Sequence, residues 1–504
     1  RSQVQTRHLG LSLADAAIGQ QLARYLIYPD SNLRLPSEAI ISGLGKQSSL
    51  WPTSISGDYP IFALRIDDVA DLEIVAQALR FQEYMRARGM MADLVIVNEQ
   101  ASSYVQDLQQ AIDSLCENSR LRGTELGPRQ HIFAVRRDLM DEPTYRTLLA
   151  SARVVLHTRN GKIADQIERA ETTALQARDA LRAGKPAISR DLATTSSGTS
   201  SLSRDIPADG NGLSNWNGFG GFNDDGRHYV VRLTGNKTTP QPWINVISNE
   251  SFGFHTSAEG AAFTWSRNSR DYQLTPWSND PVTNRPGEGI YIYDHSSGRA
   301  FSPMAAVVRD PSMTYEAWHG QGFSTFRSQR GPLSMDLTHI VDPVDPIKLS
   351  RLRIQNSGSS AVRLRIYAYA EWVLGTHRSR TAGTIVPSQD AATGALFATN
   401  PYNLDFGGRV AFLASDAKPQ SVTADRQEFL GSGGTTVEPY AVMAGAALSG
   451  RVEAGDDPCA AIARDIEVPA NGDVTLIWLL GDAASADEAS ELIKRHRDKD
   501  FDKR

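Results

Sequence analysis

The stretch VRLRIYAYAEWVLG, residues 362–375, decides how the second half of the chain is read. Val362, Leu364 and Ile366 point one way and Arg363 and Arg365 the other, the period-two pattern of a half-buried strand. Working outward, strands of this kind recur at short intervals. They include HYVVRLTG, WINVISN, GFHTSAEGAAFTWS, GIYIYDHSSGRAFSP, MTYEAWHGQGFSTFRSQ, LSMDLTHIV, IKLSRLRIQNSG, RVAFLAS and VTLIWLLG. DHSSGRAF reads as a hairpin turning at Ser297-Gly298. Helical periodicity is missing from 215 until about 483, so this half predicts a large antiparallel sandwich.

The first half has a different rhythm. LADAAIGQQLARYLIY is helical, and 36–58 is irregular and rich in Gly and Ser. From 59, short apolar runs (YPIFALRI, ADLVIVNE, HIFAVRR, RVVLHT) alternate with helical segments. Asp67 or Asp68 is the expected N-cap of the first of these helices, and Gly89 its stop. Pro143 falls in the first turn of a later one. Alternation of this kind predicts a small α/β layer with mostly parallel strands. The domains expected are a lead-in at 1–58, an α/β module at 59–182, a Ser/Thr/Gly-rich linker at 183–214, the β domain at 215–482 and a charged terminal helix at 483–504. The chain begins at Arg1 without a signal-peptide pattern, so it reads as a mature product or a piece of something larger.

Composition narrows the function. A net charge of −6 over 504 residues, with no basic run, gives no nucleic-acid footprint. No stretch of about 18 apolar residues exists, so no direct membrane span is expected. Cys116 and Cys459 fall in different expected domains and predict no disulfide framework. The motifs GxxxxGK[ST], HExxH, CxxC and GxSxG are missing, and the ten histidines show no metal-ligand spacing. Neither a metal nor a cofactor is expected. The α/β module lacks a Gly-rich loop after its first strand, which argues against a nucleotide site.

Acids are plentiful in the β half: Asp224, Asp225, Asp280, Glu288, Asp294, Glu316, Asp336 and Glu371. Glycoside chemistry needs an acid facing the bond and a second group opposite it, and spacing alone does not say which of these converge. Trp216, Trp243, Trp265, Trp277, Trp318 and Trp372 all lie in the same half. Indole faces stack on sugar rings while Asn, Asp and Arg bond hydroxyls, although large rings also fill sandwich cores. The surface candidates are two. In RNSRDYQLTPWSNDPV, Arg267, Asn268, Asn279 and Asp280 surround Trp277. In YEAWHGQGFSTFRSQ the candidates are Trp318, His319 and Gly320.

NWNGFGGFNDDGRHYVVRL, the run PWINVISNESFGFHTSAEGAAFTWSRNSRDYQLTPWSNDPV, GEGIYIYDHSSGRAFSP, HGQGFSTF and DPCAAI resemble the N-terminal β-domain of the glycoside hydrolase family 94 phosphorylases, over roughly residues 215–482. RSQVQTRHLGLS, LARYLIYPDSNLR, LWPTSISGDYPIFALRI and ADLVIVNEQ resemble the segment that precedes that domain in cyclic β-1,2-glucan synthases. The resemblance implies an α+β multidomain chain, in which a small α/β module is followed by a super-β-sandwich. The (α/α)6 barrel that carries family 94 catalysis is expected to be absent. Catalytic residues are therefore expected to be none. Arg267, Asn268, Trp277, Asn279 and Asp280 would sit on one loop bordering a sugar site, and Trp318, His319 and Gly320 on another.

The expected role is an accessory, non-catalytic portion of a cyclic β-1,2-glucan synthase, itself a glycosyltransferase with a phosphorylase-like region that limits glucan length. Its partners would be β-1,2-glucan or a glucooligosaccharide and the remainder of the parent enzyme, including the barrel. The resemblance implies a soluble region of a bacterial inner-membrane protein, on the cytoplasmic side. Two other readings stand beside it: a free-standing carbohydrate-binding module for β-glucans, and an oligomerisation scaffold forming a homodimer.

Overall fold

In a computed structural model of the chain, the structure describes residues 9–101, 106–122, 131–183, 206–207, 209–223, 225–497 and 501. Most of the linker expected at 183–214, and Asp224, lie outside them. Among the described residues no helix is long and apolar enough to cross a membrane.

The α/β module is a four-stranded parallel sheet in the order β3-β2-β1-β4, formed by β1 (Ile61–Ile66), β2 (Asp93–Asn98), β3 (Ile132–Arg136) and β4 (Val154–His157). Its helices are α1 (Leu13–Ile27), α2 (Ser37–Gly43), α3 (Leu72–Ala87), α4 (Asp107–Arg122), α5 (Glu142–Ser151) and α6 (Ile163–Ala183). IFALRI and DLVIVN are apolar nearly throughout because helices cover both faces. Phe62, Leu64, Leu94 and Ile96 pack with Leu22, Val75, Ile112 and Ile167 of α1, α3, α4 and α6. Ile61, Ala63, Val95 and Val97 pack with Leu148 of α5 and with Leu44 and Leu50 on the opposite face. Asp68 accepts from the Ala70 N–H and so caps a single 3-10 turn, Val69–Asp71. The helix expected to start there begins one turn later, at Leu72.

Among the described residues the second half contributes eighteen strands. The ten-stranded sheet, in the order β17-β18-β19-β22-β15-β14-β13-β12-β6-β5, is closed at one edge by β5 (Gly220–Phe222) and β6 (Tyr229–Thr234). Its middle is β12 (Thr314–Gly320), β13 (Phe323–Arg330), β14 (Leu333–Val341) and β15 (Ile347–Asn356). Its other edge is β17 (Val386–Gln389), β18 (Leu396–Thr399), β19 (Val410–Ser415) and β22 (Gly472–Ala483). A three-stranded sheet is built from β7 (Ile244–Ser248), β8 (Phe252–Ser257) and β9 (Ala262–Ser266). A five-stranded sheet, β11-β10-β16-β21-β20, contains β10 (Glu288–Asp294), β11 (Arg299–Phe301), β16 (Val362–Glu371), β20 (Ser421–Asp425) and β21 (Pro458–Val468). Phe254, Ile292, Leu364, Ile366 and Ile462 from the two smaller sheets share one core with Leu337, Leu352, Leu476 and Trp478 of the large one. The helices here are α7 (Arg378–Thr381), α8 (Arg426–Leu430), α9 (Tyr440–Met443) and α10 (Ala486–Arg497). The first three are single turns. α10 lies on the large sheet, with Leu492 and Ile493 against Leu349, Phe412 and Leu479. Among the described residues nothing forms a barrel.

The opening stretch differs in one respect from its sequence reading. β16 is buried on both faces. Leu364 and Ile366 enter the main core, while Tyr367 and Tyr369 pack under Phe429 and Val442 of α8 and α9. Tyr369 and Phe429 stack at 4.8 Å and 7°. Arg365, on the face opposite Leu364 and Ile366 as the alternation predicts, is nevertheless 4 % exposed and forks onto Asp465 at 2.5 and 2.7 Å, its direct cross-strand neighbour on β21. Arg363, one pair along, stays exposed beside Glu467.

The outer face of the large sheet carries a charge ladder set by register. Arg232 pairs opposite Glu316, Glu316 opposite Arg327, Arg327 opposite Asp336, and Asp336 opposite Arg353. Opposite charges on adjacent strands stabilise the pairing that places them side by side.

Module and sandwich meet at a polar seam. Arg34, 8 % exposed, donates to Ala150 O (2.8 Å) and Ala152 O (3.1 Å) of the module and to Gly383 O (2.7 Å) and Gly455 O (3.3 Å) of the sandwich. Arg153 donates to Ser379 O. It lies so close to Gly383 that a Cβ there would sit 2.3 Å from its Nε. Tyr402 Oη donates to Gly57 O at 3.1 Å.

Candidate functional site

The loop after β9 starts with backbone strain. Arg267 adopts φ +63°, the left-handed region that a side chain disfavours, and its N–H donates to Ser251 O at 2.7 Å. Asn268 Oδ1 then accepts from the N–H groups of Arg270 and Asp271, both at 2.9 Å. Asp280 does the same at the far end. It accepts from the N–H of Val282 (2.9 Å) and Thr283 (3.2 Å) and from Thr283 Oγ1 (2.6 Å), and these bonds hold its carboxyl below the usual range. Short polar side chains that bond their own backbone two or three residues on make turns. Asn268 and Asp280 thus shape the loop.

What the loop presents is Trp277. The indole is 51 % exposed and lies 6.3 Å from Phe263 at an interplanar angle of 33°. Phe263 in turn lies 5.1 Å from Trp265 at 34°. Trp265 covers Gly253 on β8, where a Cβ would come within 2.6 Å of the ring, so glycine is required there. Asn284 ties the loop back to the sheet through Ser257 Oγ at 3.0 Å. Arg267, Arg270 and Asn279 are exposed on the same loop. The result is a run of three tilted rings whose outermost member, Trp277, alone is largely exposed and offers an apolar face, on a loop that also carries exposed polar side chains.

Trp318, His319 and Gly320 are placed on strand β12, not on a loop. They pair with Val230 and Tyr229 on one side and with Thr325, Ser324 and Phe323 on the other. Trp318 Nε1 donates to Glu316 Oε2 at 2.6 Å, and the Arg327 guanidinium stacks 4.4 Å above its ring. The His319 Nδ1 lies 2.9 Å from Ser324 Oγ, and burial pulls its imidazole down to about 4, so the ring is neutral at physiological pH. Gly320 O accepts from Asn245 of β7 at 3.0 Å, and the same amide reaches Phe323 O and Ser324 Oγ. This second set joins the three-stranded sheet to the large one. Asn245 escaped the sequence reading because its three acceptors lie more than 70 residues away.

Five of the acids singled out in the sequence are engaged: Glu288, Asp294, Glu316, Asp336 and Glu371. Glu288 meets Lys348 Nζ at 2.7 Å and accepts from Thr264 and Thr275. Asp294 caps its hairpin through Ser296 and Ser297. Glu316 pairs with Arg232 at 2.9 Å, Asp336 with Arg327 at 3.5 Å, and Glu371 with Arg378 and Arg426 at 3.0 and 2.9 Å. Asp342, Asp345 and His496 bring ligand-type atoms within 4.8 Å of one another. There His496 Nε2 stands 2.8 Å from Asp345 Oδ2 and fastens α10 to the β14–β15 turn.

Comparison with known proteins accords with this architecture. The profile of the glycosyl hydrolase 94 supersandwich domain matches residues 227–499, and the chain belongs to that family. Over 501 residues, 99% of its length, it is 52% identical to the cyclic beta-(1,2)-glucan synthase NdvB of Rhizobium meliloti (strain 1021), and it spans 18% of that protein. It is 22% identical over 302 residues to the N,N'-diacetylchitobiose phosphorylase of Vibrio proteolyticus, covering 56% of this chain and 37% of that one. A solved bacterial glucoamylase complexed with acarbose superposes with a TM-score of 0.33 at 9% identity, covering 55% of this chain and 39% of that one. That likeness is too distant to carry argument.

Proposed function

We propose that the chain is an accessory, non-catalytic portion of a cyclic β-1,2-glucan synthase, supporting glycan processing and chain-length control by a family 94 phosphorylase-like region. The observation that carries this reading is the 52% identity to NdvB, which runs through the α/β module as well as the sandwich. The engagement of Glu288, Glu316 and Glu371 in ion pairs supports the absence of chemistry. The rest of the parent enzyme, with its barrel, would be the main partner, and a cytoplasmic position beside the inner membrane is part of the same proposal. Incubating the chain with β-1,2-glucan and phosphate is expected to release no glucose 1-phosphate. Catalytic release would overturn the non-catalytic reading.

A second reading, glycan binding, is favoured by Trp277 and its tilted neighbours. Titration with β-1,2-glucooligosaccharides at millimolar concentration is expected to shift the resonances of Trp277 and the loop around it. Trp277→Ala is expected to weaken binding roughly three- to tenfold, the scale of one aromatic contact. An affinity untouched by that substitution would remove Trp277 from the site. The homodimer alternative calls for an interface on the order of 1,600 Å², which sedimentation at high concentration would reveal.

A further inference from the structure

The sandwich side of the seam is a short strap, residues 451–457, and its charges do not balance. Arg451 faces three carboxylates: Asp456 at 2.8 Å, Glu453 at 3.3 Å and Asp425 at 3.9 Å. Glu453 is 55 % exposed and screened by water, whereas the side chains of Asp425 and Asp456 are only 13 % and 11 % exposed. Two largely buried anions therefore share one guanidinium. The same strap holds the α/β module. Arg451 Nη2 reaches Ser31 Oγ at 3.4 Å, the Ala454 N–H donates to Ser37 Oγ at 2.9 Å, and Gly455 O accepts from Arg34. Gly455, at φ +106°, lets the backbone close on Ile40, whose Cδ1 would lie 3.1 Å from any Cβ.

The surrounding charges do not relieve the imbalance. Asp30, which faces Asp456 from the module, adds a further negative charge and has its own partner in Arg24 at 3.8 Å. Glu428 is occupied by Thr423 and Ser449. Arg378 and Arg426, behind the strap, are committed to Asp457 and Glu371. Arg34 faces Asp456 but spends its donors on carbonyls. The thiol of Cys459, close to Asp425, is pushed up by burial and stays neutral.

Like charges forced together out of water hold a proton between them. We propose that the 451–457 strap is a proton-operated clasp: with one proton on the Asp425–Asp456 pair the module is held against the sandwich, and loss of that proton loosens the seam. Burial, then the neighbouring Asp456, raises the Asp425 carboxyl to about 7, and burial raises Asp456 as well. The sign follows from linkage. A carboxyl raised in the folded state above its unfolded value near 4 contributes fully below that value, and the contribution is lost as pH rises through about 7. The clasp is thus tight in weak acid and loose in weak alkali.

Amide exchange of the full chain, corrected for intrinsic rates, reads the clasp directly. Between pH 6 and 8.5 the opening equilibrium at Ala454, Gly455 and residues 31–40 is expected to rise roughly tenfold or more, with β15 and β16 unchanged. Asp425→Asn keeps the cap on Gln427 N and removes the charge, so its seam should stay protected at both pH values; Asp456→Asn should behave alike. If either variant fails to fold, the other carries the test. Equal wild-type protection at both pH values, or a wild-type response persisting in the variants, would overturn the proposal.

Discussion

Lys348→Met is expected to cost about 3–5 kcal/mol of stability, the scale of stripping one partner from a buried ion pair. Lys348 is 2 % exposed near the start of β15, with Nζ 2.7 Å from Glu288 and 4.3 Å from the Phe254 ring centroid. The other oxygen of Glu288 accepts from Thr264 and Thr275 at 2.5 and 2.6 Å. Burial pushes this carboxyl up, but the charge and hydrogen bond of Lys348, with the two threonines, more than offset it and hold the group below its usual range. Without the lysine only burial and the hydroxyls remain, and the folded state takes up a proton. The loss should then be smallest near pH 5 and grow towards pH 8, because a raised carboxyl stabilises only while protonated. Replacing both members, Glu288→Gln with Lys348→Met, should recover part of the deficit. Urea unfolding measures all of this; a single-variant loss below about 1 kcal/mol, or a double variant no better than the single, would contradict the account.

The same site shows what a sequence does and does not disclose. The alternation in VRLRIYAYAEW was sufficient to place a strand, and the runs IFALRI and DLVIVN to place a parallel layer. The two-sided burial of β16 was hidden because α8 and α9 are five and four residues long, too short to display a period. β21, PCAAIARDIEV, is a central strand without bulky alternation. Its Ala461 and Ala463 are small where a third layer presses on the sheet. The turn-forming roles of Asn268 and Asp280 are local and so within reach of sequence reasoning. The partners of Trp318, His319 and Gly320 come from four strands and became visible only once register was fixed. The seam was least legible. Arg34 stands in an ordinary surface-looking run, SNLRLPSE, and its acceptors lie 116 to 421 residues away.

Arg34→Ala is expected to uncouple the two halves. The guanidinium satisfies four buried carbonyls at once, two on each side of the seam. Burial, helped by the neighbouring Arg153 and only partly opposed by Asp456, pulls it down to about 9, which still leaves it charged at neutral pH. Truncation leaves acceptors worth about 1–3 kcal/mol each when unmet. Water entering the vacated space recovers some of that, so a loss of about 3–5 kcal/mol at the seam is expected. Arg34→Lys should rescue little, since three donors on a tetrahedral ammonium cannot reproduce a planar fork reaching four separated oxygens. The sandwich core and the larger module core contain none of these groups, and the second module core, which Tyr402 of the sandwich also joins, includes only Ala150 and Ala152, whose carbonyls rather than side chains face Arg34, so each half should keep its own fold. Calorimetry is therefore expected to resolve two transitions in the variant where the wild type gives one cooperative event, the lower belonging to the α/β module. A single transition in Arg34→Ala, moved only slightly, would mean that Tyr402, Gly57 and Arg153 hold the seam without it.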